Sequence, residues 1–560
     1  MNELQQILAA RGYEERPAQS RLFEHLIRAT HDGVVAQAGT GVGKSMAILA
    51  AAAHMARTTG EQSVIVTPTL TLMNQYRDGD TPWARKAFED LRFAEVRGMS
   101  HYYCQQSVAF QGAMDIEHVG GCLGRDGECS QKGWEGHDDG CIDGCDILHD
   151  GGRWECGYRE ARYEAKHSDV CVTNADMLIV NDRVLAGLPT PQNFLSLDGA
   201  LFVDEAHTLE QKLRDYASRS LHWSTIERFK YADPSKVNTL HRWLKRQEKN
   251  LAIKDTKGFP YDALDAIALA TVPEYDVNHK KNTKQAETQE AAHRIAAYLR
   301  EPHDNAVAHV NQGALKYDWI NVSKSAAELL RTRRFGLVSA TVPRTMAASL
   351  GVSDAPFVDV GHPFTYGEQA WIGFSAYGGD YRSAQSTNNF DARVNEVMDL
   401  IRRSKGGALL LFSSFKDMEA ASERLAPQIK ALGLKVLVQE REMEAKDRQA
   451  LADEFRDDGN AVLFGSESFA TGFDVPGDAL RLVVIWKLPY PAVDPVSNAI
   501  RSQSYARYED IMKVRAVQAI GRLIRRESDR GIVWIADSRG RRLIDPRDPL
   551  TSHIPEFARL

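Results

Sequence analysis

Short apolar runs, bounded by glycines and polar residues, recur along this chain in two groups. In the first, Gly33-Val-Val-Ala-Gln-Ala38 reads as a short buried strand, and Ser45-Met-Ala-Ile-Leu-Ala-Ala-Ala-Ala-His54 as the helix that follows it. Val170-Cys-Val172 is a further apolar strand, and Leu201-Phe-Val203 is one that ends in two carboxylates. In the second group, residues 408–412, 461–464, 482–485 and 532–535 look like parallel strands covered on both faces, because such strands lose the polar alternation of a half-exposed sheet. Between them, residues 417–425 and 447–455 carry helical apolar spacing. This order predicts an α/β protein with two strand–helix lobes. The stretch 209–319 between the groups reads as mostly helical. Ala291, Ile295 and Leu299 share one face there, and Leu240, Leu244 and Leu251 another.

Composition narrows the class without changing that picture. A chain of 560 residues has room for several domains, each with its own core. Its 43% hydrophobic and 26% charged residues are ordinary for a soluble protein. No run approaches the roughly 20 apolar residues of a membrane span, and the start lacks the basic-then-apolar run of a signal peptide. Seven cysteines, an odd number, then argue for a reducing cytoplasm and against a disulfide framework. The formal net charge is −7, so any nucleic-acid contact must use a local basic groove.

The chemistry begins at Ala38-Gly-Thr-Gly-Val-Gly-Lys-Ser45, a glycine-rich turn between strand and helix. Such a turn sets backbone N–H groups and a helix N-terminus against phosphate oxygens, with Gly39, Thr40, Gly41 and Gly43 forming the cradle. Lys44 would reach the β- and γ-phosphates of ATP, and Ser45 the Mg²⁺. The strict pattern opens with glycine, where this chain has Ala38. In the acidic box Asp204-Glu-Ala-His207, Asp204 would hold Mg²⁺ through water and Glu205 would orient the attacking water. Val517-Gln-Ala-Ile-Gly-Arg-Leu-Ile-Arg-Arg526 places Gln518, Arg522 and Arg525 at i, i+4 and i+7. On one helical face those arginines could cross a cleft to the γ-phosphate; the plainer reading is a solvated basic helix. Phe469-Ala-Thr-Gly-Phe-Asp-Val-Pro-Gly477 puts an acid, Asp474, at a turn after a strand.

Six of the seven cysteines fall between Cys104 and Cys156, between the phosphate loop and the acidic box. Cytosolic cysteines at short spacing are metal ligands more often than structural pairs, and thiolate-only ligation suits zinc or an iron–sulfur cluster. The remaining one, Cys171, sits in an apolar strand and reads as a core residue.

With these residues in hand, the chain resembles the DinG/XPD group of superfamily 2 helicases, and the match is ordered along nearly its whole length. Arg16-Pro-Ala-Gln19 is similar to the group's adenine-side element, and Val66-Thr-Pro-Thr69 with Leu72 and Gln75 to its motif Ia. Arg97 to Cys104 resembles the entry to an iron–sulfur domain, Cys156 to Arg162 its exit, and Val172-Thr-Asn174 the return to the motor. Ser339-Ala-Thr341, Gly361-His-Pro-Phe364, Phe469 to Gly477, Lys487-Leu-Pro-Tyr490 and Gln518 to Arg525 complete the set. One departure is Thr471, where the group usually carries glutamate.

The resemblance implies two RecA-like motor domains, the first built from residues 1–98, 172–208 and 320–341 and the second from 342–560. It implies an inserted Cys-rich iron–sulfur domain over 99–171 and a mostly helical arch domain over 209–319. No nuclease domain is expected ahead of the phosphate loop. The cluster would be [4Fe–4S] on Cys104, Cys141, Cys145 and Cys156. Cys122 and Cys129 remain alternatives for the two middle places, and a vestigial metal-free module is the other alternative. Glu205, Gln518, Arg522 and Arg525 would be catalytic. Gln19, Gly39, Thr40, Gly41, Gly43, Lys44, Ser45, Asp204, His207 and Asp474 would hold ATP and Mg²⁺. The implied partner is single-stranded and forked DNA, the implied enzyme a monomeric 5′–3′ DNA helicase of the cytoplasm. In the arch, Arg242, Trp243, Lys245, Arg246 and Lys249 mix charge with an aromatic as a strand groove would, although taken alone the segment reads as a solvated helix face. The competing function is a DNA-stimulated ATPase that remodels nucleoprotein complexes, or serves a CRISPR or phage assembly, without processive unwinding. A non-motor redox sensor would leave the motifs of the second lobe without a purpose.

Overall fold

A computed structural model describes residues 1–98, 101–102, 157–187, 192–247, 250–253, 258–273, 283–378, 387–470, 475, 477–544 and 558–559. The first group of apolar runs builds a parallel sheet. In spatial order its described strands are Phe357–Asp359, Val34–Gln37, Arg334–Ser339, Ala200–Asp204, Ser63–Thr67, Val170–Asn174 and Phe93–Val96. Helices cover both faces, so the four central strands and Val170–Asn174 are buried almost throughout, as their unbroken apolar runs require. Cys171 is one of these core residues, and burial pushes its thiol well above the usual range.

Each of these apolar strands ends in a polar residue on the same edge of the sheet. Gln37 lies opposite Ser339, Asp204 opposite Val338, and Thr67 opposite Asn174. All five polar residues are buried. The carboxyl edge of a parallel sheet is where ligands bind in such folds, so the strand register alone collects the polar groups of the site.

The second group builds another parallel sheet in the order Val436–Val438, Val462–Ser466, Ala408–Phe412, Leu482–Ile485, Gly531–Ile535, Ala370–Phe374 and Ala558–Arg559. The apolar runs expected at 408–412 and 482–485 coincide with strands. The expected helices lengthen to Phe415–Ala431 and Ala445–Asp458. The chain leaves the first sheet after Phe357–Asp359, which pairs with Val34–Gln37, so the first lobe extends past residue 341. At its other border, the helix Gly157–Lys166 packs on Phe93–Val96, and the strand Val170–Asn174 pairs within the first sheet. Both therefore belong to the first lobe rather than to the cysteine insertion.

The stretch 209–319 is helix-rich but holds a four-stranded antiparallel sheet that helical periodicity did not anticipate. Its order is Arg219–His222, Ala314–Trp319, Ala306–Asn311 and Leu251–Ala252. The hairpin at its centre turns through Gln312 and Gly313, both with positive φ (47° and 76°). That is the backbone of a primed two-residue turn, which matches the twist of the strands it joins. Ala291, Ile295, Leu240 and Leu244 are buried in this unit's core, whereas Leu251 falls in the short edge strand and is exposed. Trp243 packs edge-on against Phe259 (centroids 5.1 Å apart) and serves that core, so it is not a free stacking platform. Lys249 lies outside the described residues. Among the described residues no helix is long and apolar enough to cross a membrane.

Candidate nucleotide site between the two sheets

The phosphate loop joins the strand Val34–Gln37 to the helix Lys44–Thr59. Gly41 and Gly43 take φ of +79° and +87°, a left-handed backbone that side-chain-bearing residues rarely adopt. No side chain caps the helix, whose first N–H groups are therefore available to an anion in the cleft. The link between lobes closes over the loop: Gly39 N donates to Gly361 O (3.1 Å), and a Cβ on Gly41 would lie 2.5 Å from the Phe364 ring. Gln19 is buried beneath, its amide donating to Gly43 O (3.0 Å), so it reads the loop's backbone directly. Arg16 donates to the Gly41 carbonyl.

The acidic box follows the strand Ala200–Asp204. Lys44 Nζ lies 3.0 Å from Glu205 Oε1. Glu205 itself sits at φ 50°, ψ 48°, a strained conformation for a residue with a side chain, at the place where the carboxylate must turn into the cleft. Burial raises the Asp204 carboxyl to about 6, with the neighbouring Glu205 charge adding to it. Burial acts on Glu205 in the same direction, but Lys44 and His207, with hydrogen bonds from Lys44 and Ser339, outweigh it and hold Glu205 down at about 2. The pair therefore divides, with Glu205 the firmly ionised member. Ser45, Asp204 and Glu205 supply hard oxygen donors beside an anion-binding turn, a donor set that fits Mg²⁺ with nucleotide phosphate.

A hydrogen-bonded chain runs from Glu205 to the other lobe. Ser339 Oγ lies 3.2 Å from Glu205 Oε2, and His207 Nδ1 is 2.8 Å from Ser339 Oγ. The Gln518 amide Nε2 is 2.8 Å from His207 Nε2. An amide nitrogen can only donate, so His207 accepts at Nε2 and carries its proton on Nδ1, pointing at Ser339. Burial lowers the His207 pKa and keeps this neutral form. The proton of Ser339 then goes to Glu205 Oε2 or to the Thr341 carbonyl (2.9 Å).

The helix carrying Gln518, Tyr505–Ile520, stops before the arginines. Gly521 N closes onto Val517 O, and Arg522 and Arg525 emerge from the turn that follows. The expectation that all three share one helical face is thus corrected, although all three still line the same cleft of about 1760 Å³ with Lys44, Ser45, Asp204 and Glu205. The turn abuts the loop: a Cβ on Gly521 would sit 3.8 Å from Thr40 Cγ2. Tyr366 OH lies 3.2 Å from Thr40 Oγ1, and burial pushes its pKa up against the pull of Thr40 and Arg525. Of the other expected site residues, Asp474, Cys104, Cys141, Cys145 and Cys156 lie outside the described residues, as do Cys122 and Cys129.

Several contributors escaped the sequence reading. Gln37 holds Val342 N through Oε1 (3.1 Å) and Asp359 through Nε2 (2.8 Å), joining three strands at their carboxyl ends. Asp510 of the second lobe accepts from Thr345 N and Oγ1 (2.9 and 2.7 Å). Arg507 donates to Glu210 and to Ile320 O. A polar residue ending an apolar strand is the only sequence signal these carry, and only Gln37 has it.

Comparison with known proteins agrees with this geometry. Residues 16–92 match the family described as DEAD/DEAH box helicase, and residues 397–547 the helicase C-terminal domain. The chain is 25% identical to the probable ATP-dependent helicase YpvA of Bacillus subtilis, over 96% of this chain and 93% of that protein. It is 25% identical to the ATP-dependent helicase DinG of Mycobacterium tuberculosis, over 95% of this chain and 91% of that one. Among solved structures, S. tokodaii Xpd4 superposes with a TM-score of 0.62 at 13% identity, covering 97% of this chain and all of that one, which is a likeness of fold. The chain thus carries a DEAD/DEAH box helicase match and a helicase C-terminal match, is similar over most of its length to ATP-dependent helicases such as DinG and YpvA, and shares the fold of Xpd4, which together support a DinG/XPD-like helicase.

Proposed function

We propose that this helicase-family enzyme couples ATP hydrolysis to movement along single-stranded DNA and thereby separates duplex strands, with 5′–3′ polarity. The observation that carries the reading is the chain Glu205–Ser339–His207–Gln518, which ties the candidate catalytic carboxylate of one lobe to the other lobe. A motor needs hydrolysis to depend on how its lobes meet, and this contact supplies that dependence.

Lys44 pairs with Glu205 at 3.0 Å. A nucleotide's phosphates would compete for Lys44 and release Glu205 to polarise water, with Ser339 holding its second oxygen. Ser45 and Asp204 would hold Mg²⁺, which when bound neutralises the β- and γ-phosphate oxygens. Arg522 and Arg525, on a turn that abuts Thr40, would add charge at the γ-phosphate when the lobes close. Gln19 would serve the base side of the nucleotide, and Asp474 would couple the turn it occupies to the same cleft.

For the strand itself, the second lobe offers an aromatic ladder. Tyr490 stacks on Tyr508 (5.8 Å) and Tyr505 lies 6.3 Å from Tyr508, with nearly half of Tyr505 exposed. Arg501 lies 5.8 Å from the Tyr508 ring, and Arg539 lies 5.3 Å from Tyr490. Aromatic faces interleaved with guanidinium groups suit stacked bases and their phosphates. The resemblance supports a [4Fe–4S] cluster on Cys104, Cys141, Cys145 and Cys156, with the cysteine insertion and the 209–319 insertion guiding the strand as a monomeric enzyme works at a fork.

The test is ATP hydrolysis with and without single-stranded DNA, run beside strand displacement on duplexes carrying a 5′ or a 3′ tail. DNA-stimulated hydrolysis with displacement from the 5′ tail is expected. Stimulated hydrolysis without displacement would favour a remodelling ATPase, and hydrolysis indifferent to DNA would refute the proposal.

A further inference from the structure

The helix after the strand Ser63–Thr67 is interrupted. Leu70–Gln75 and Thr81–Ala87 are α-helical, but Tyr76–Asp80 between them is a π-turn, closed by Thr81 N onto Tyr76 O. A π-turn spends one extra residue, and such bulges inside helices gather at functional sites. Tyr76 and Asp80 stand four residues apart, a spacing that keeps them on one face, and both side chains are buried.

One of their partners is a residue read as a cation ligand. Tyr76 OH donates to Asp204 Oδ2 (3.1 Å) at the end of the neighbouring strand. Asp204 Oδ1 meanwhile accepts from Glu205 N (3.0 Å), so both of its oxygens are oriented. Asp80 has one oxygen on Arg11 (2.5 Å). Its other oxygen is fully enclosed and has no partner in hydrogen-bond geometry. Burial pushes the Asp80 carboxyl up, while the Ser45 hydroxyl, at the first turn of the phosphate-loop helix, and Arg11 pull it back. A buried carboxylate oxygen left without a hydrogen bond is costly, and the Ser45 hydroxyl is the neighbouring donor that could satisfy it.

We propose that the Tyr76–Asp80 turn is the outer support of the Mg²⁺ site, with Tyr76 the positioning residue for Asp204 and Asp80 the positioning residue for Ser45. A hydroxyl that gives its proton to Asp80 directs its lone pairs away from it, toward the cleft. Tyr76, donating to Oδ2, and Glu205 N, donating to Oδ1, together fix the orientation of the Asp204 carboxylate. Partners of this kind set metal affinity about 10- to 100-fold without touching the ion. The turn also continues directly from the helix Leu70–Gln75, whose Thr71, Leu72, Asn74 and Gln75 line the cleft.

The proposal rests on the reading of Ser45 and Asp204 as cation ligands, and the experiment separates the two. Binding of a fluorescent ADP analogue is titrated with Mg²⁺, and again in excess EDTA, for the whole wild-type protein, Tyr76→Phe and Asp80→Asn. Thermal unfolding is recorded for each. The expected result is a Mg²⁺ midpoint raised about tenfold or more in both variants, with EDTA binding within twofold of wild type. Tyr76→Phe keeps the buried ring, so it decides alone if Asp80→Asn fails to fold. Unchanged midpoints in folded variants would overturn the proposal. So would equal losses with and without Mg²⁺, which would mark a merely structural role. Mg²⁺-independent binding by the wild type would overturn the ligand reading itself, and the proposal with it.

Discussion

Replacing Gln518 by alanine removes one amide, 2.8 Å from His207 Nε2, and nothing else in the phosphate cradle. About a tenth of the His207 side chain is exposed, so its Nε2 loses an acceptor bond that water cannot readily replace. A buried acceptor left unpaired costs about 1–3 kcal/mol. The bond spans the lobes, so the loss falls on the closed state in which hydrolysis occurs, and about 1.4 kcal/mol is tenfold in rate. The DNA-stimulated kcat should drop between roughly 5- and 150-fold. Nucleotide affinity should change little, because Lys44, Ser45 and the glycines are untouched. The assay is steady-state ATPase at saturating single-stranded DNA, in a double-mutant cycle with His207→Ala. Coupling above about 0.5 kcal/mol is expected between two residues in contact. The link also carries a pH signature. Burial holds His207 below its ordinary 6.5, so its neutral form, and with it the acceptor at Nε2, is complete above that pH and lost as pH falls through the depressed value. Gln518→Ala should flatten that acid limb. Wild-type kcat in the single variant, or strict additivity in the cycle, would refute a working connection between the lobes.

Lys44→Ala and Glu205→Gln should both abolish DNA-stimulated hydrolysis but part in a binding assay: the first weakens nucleotide binding, whereas the second retains ATP because it spares the cradle. Arg522→Ala and Arg525→Ala should each cost ~2–4 kcal/mol of transition-state stabilisation, read as kcat with normal binding of DNA; unchanged turnover would make their turn a solvated surface. Cys156→Ser should lower iron content and abolish unwinding while basal ATP hydrolysis survives in part, since Lys44, Asp204, Glu205 and Arg522 lie outside the insertion; full unwinding by an iron-free variant would show that the cysteines have no role.

Much of the site was legible because its physics is local. A four-residue apolar strand, a glycine turn that tolerates φ near +80° and a lysine at the following helix start are neighbours in sequence, so Gly39 to Ser45 could be read directly. The buried parallel strands were legible for a similar reason: covered on both faces, Ala408–Phe412 and Leu482–Ile485 leave unbroken apolar runs. Where a local rule changed midway, reading failed. Gln518, Arg522 and Arg525 keep helical spacing in the sequence, yet Gly521 ends the helix between them. The π-turn adds one residue to its helix, so the residues after Asp80 fall out of the register that a period of 3.6 assumes. The hairpin Ala306–Trp319 turns at Gln312-Gly313, a weaker signal than Asn-Gly, and the strand Arg219–His222 buries only Leu221 fully. Gln37, Asp359 and Asp510 act across 165 residues or more of sequence, where spacing carries no information.

The central claim is that hydrolysis at Glu205 drives the strand. Its most direct test is single-turnover strand displacement on a 5′-tailed forked duplex, with ATP or with a non-hydrolysable analogue, for the wild type and for Glu205→Gln. The account predicts displacement only for the wild type with ATP. Displacement with the analogue, or by Glu205→Gln at the wild-type rate, would contradict it.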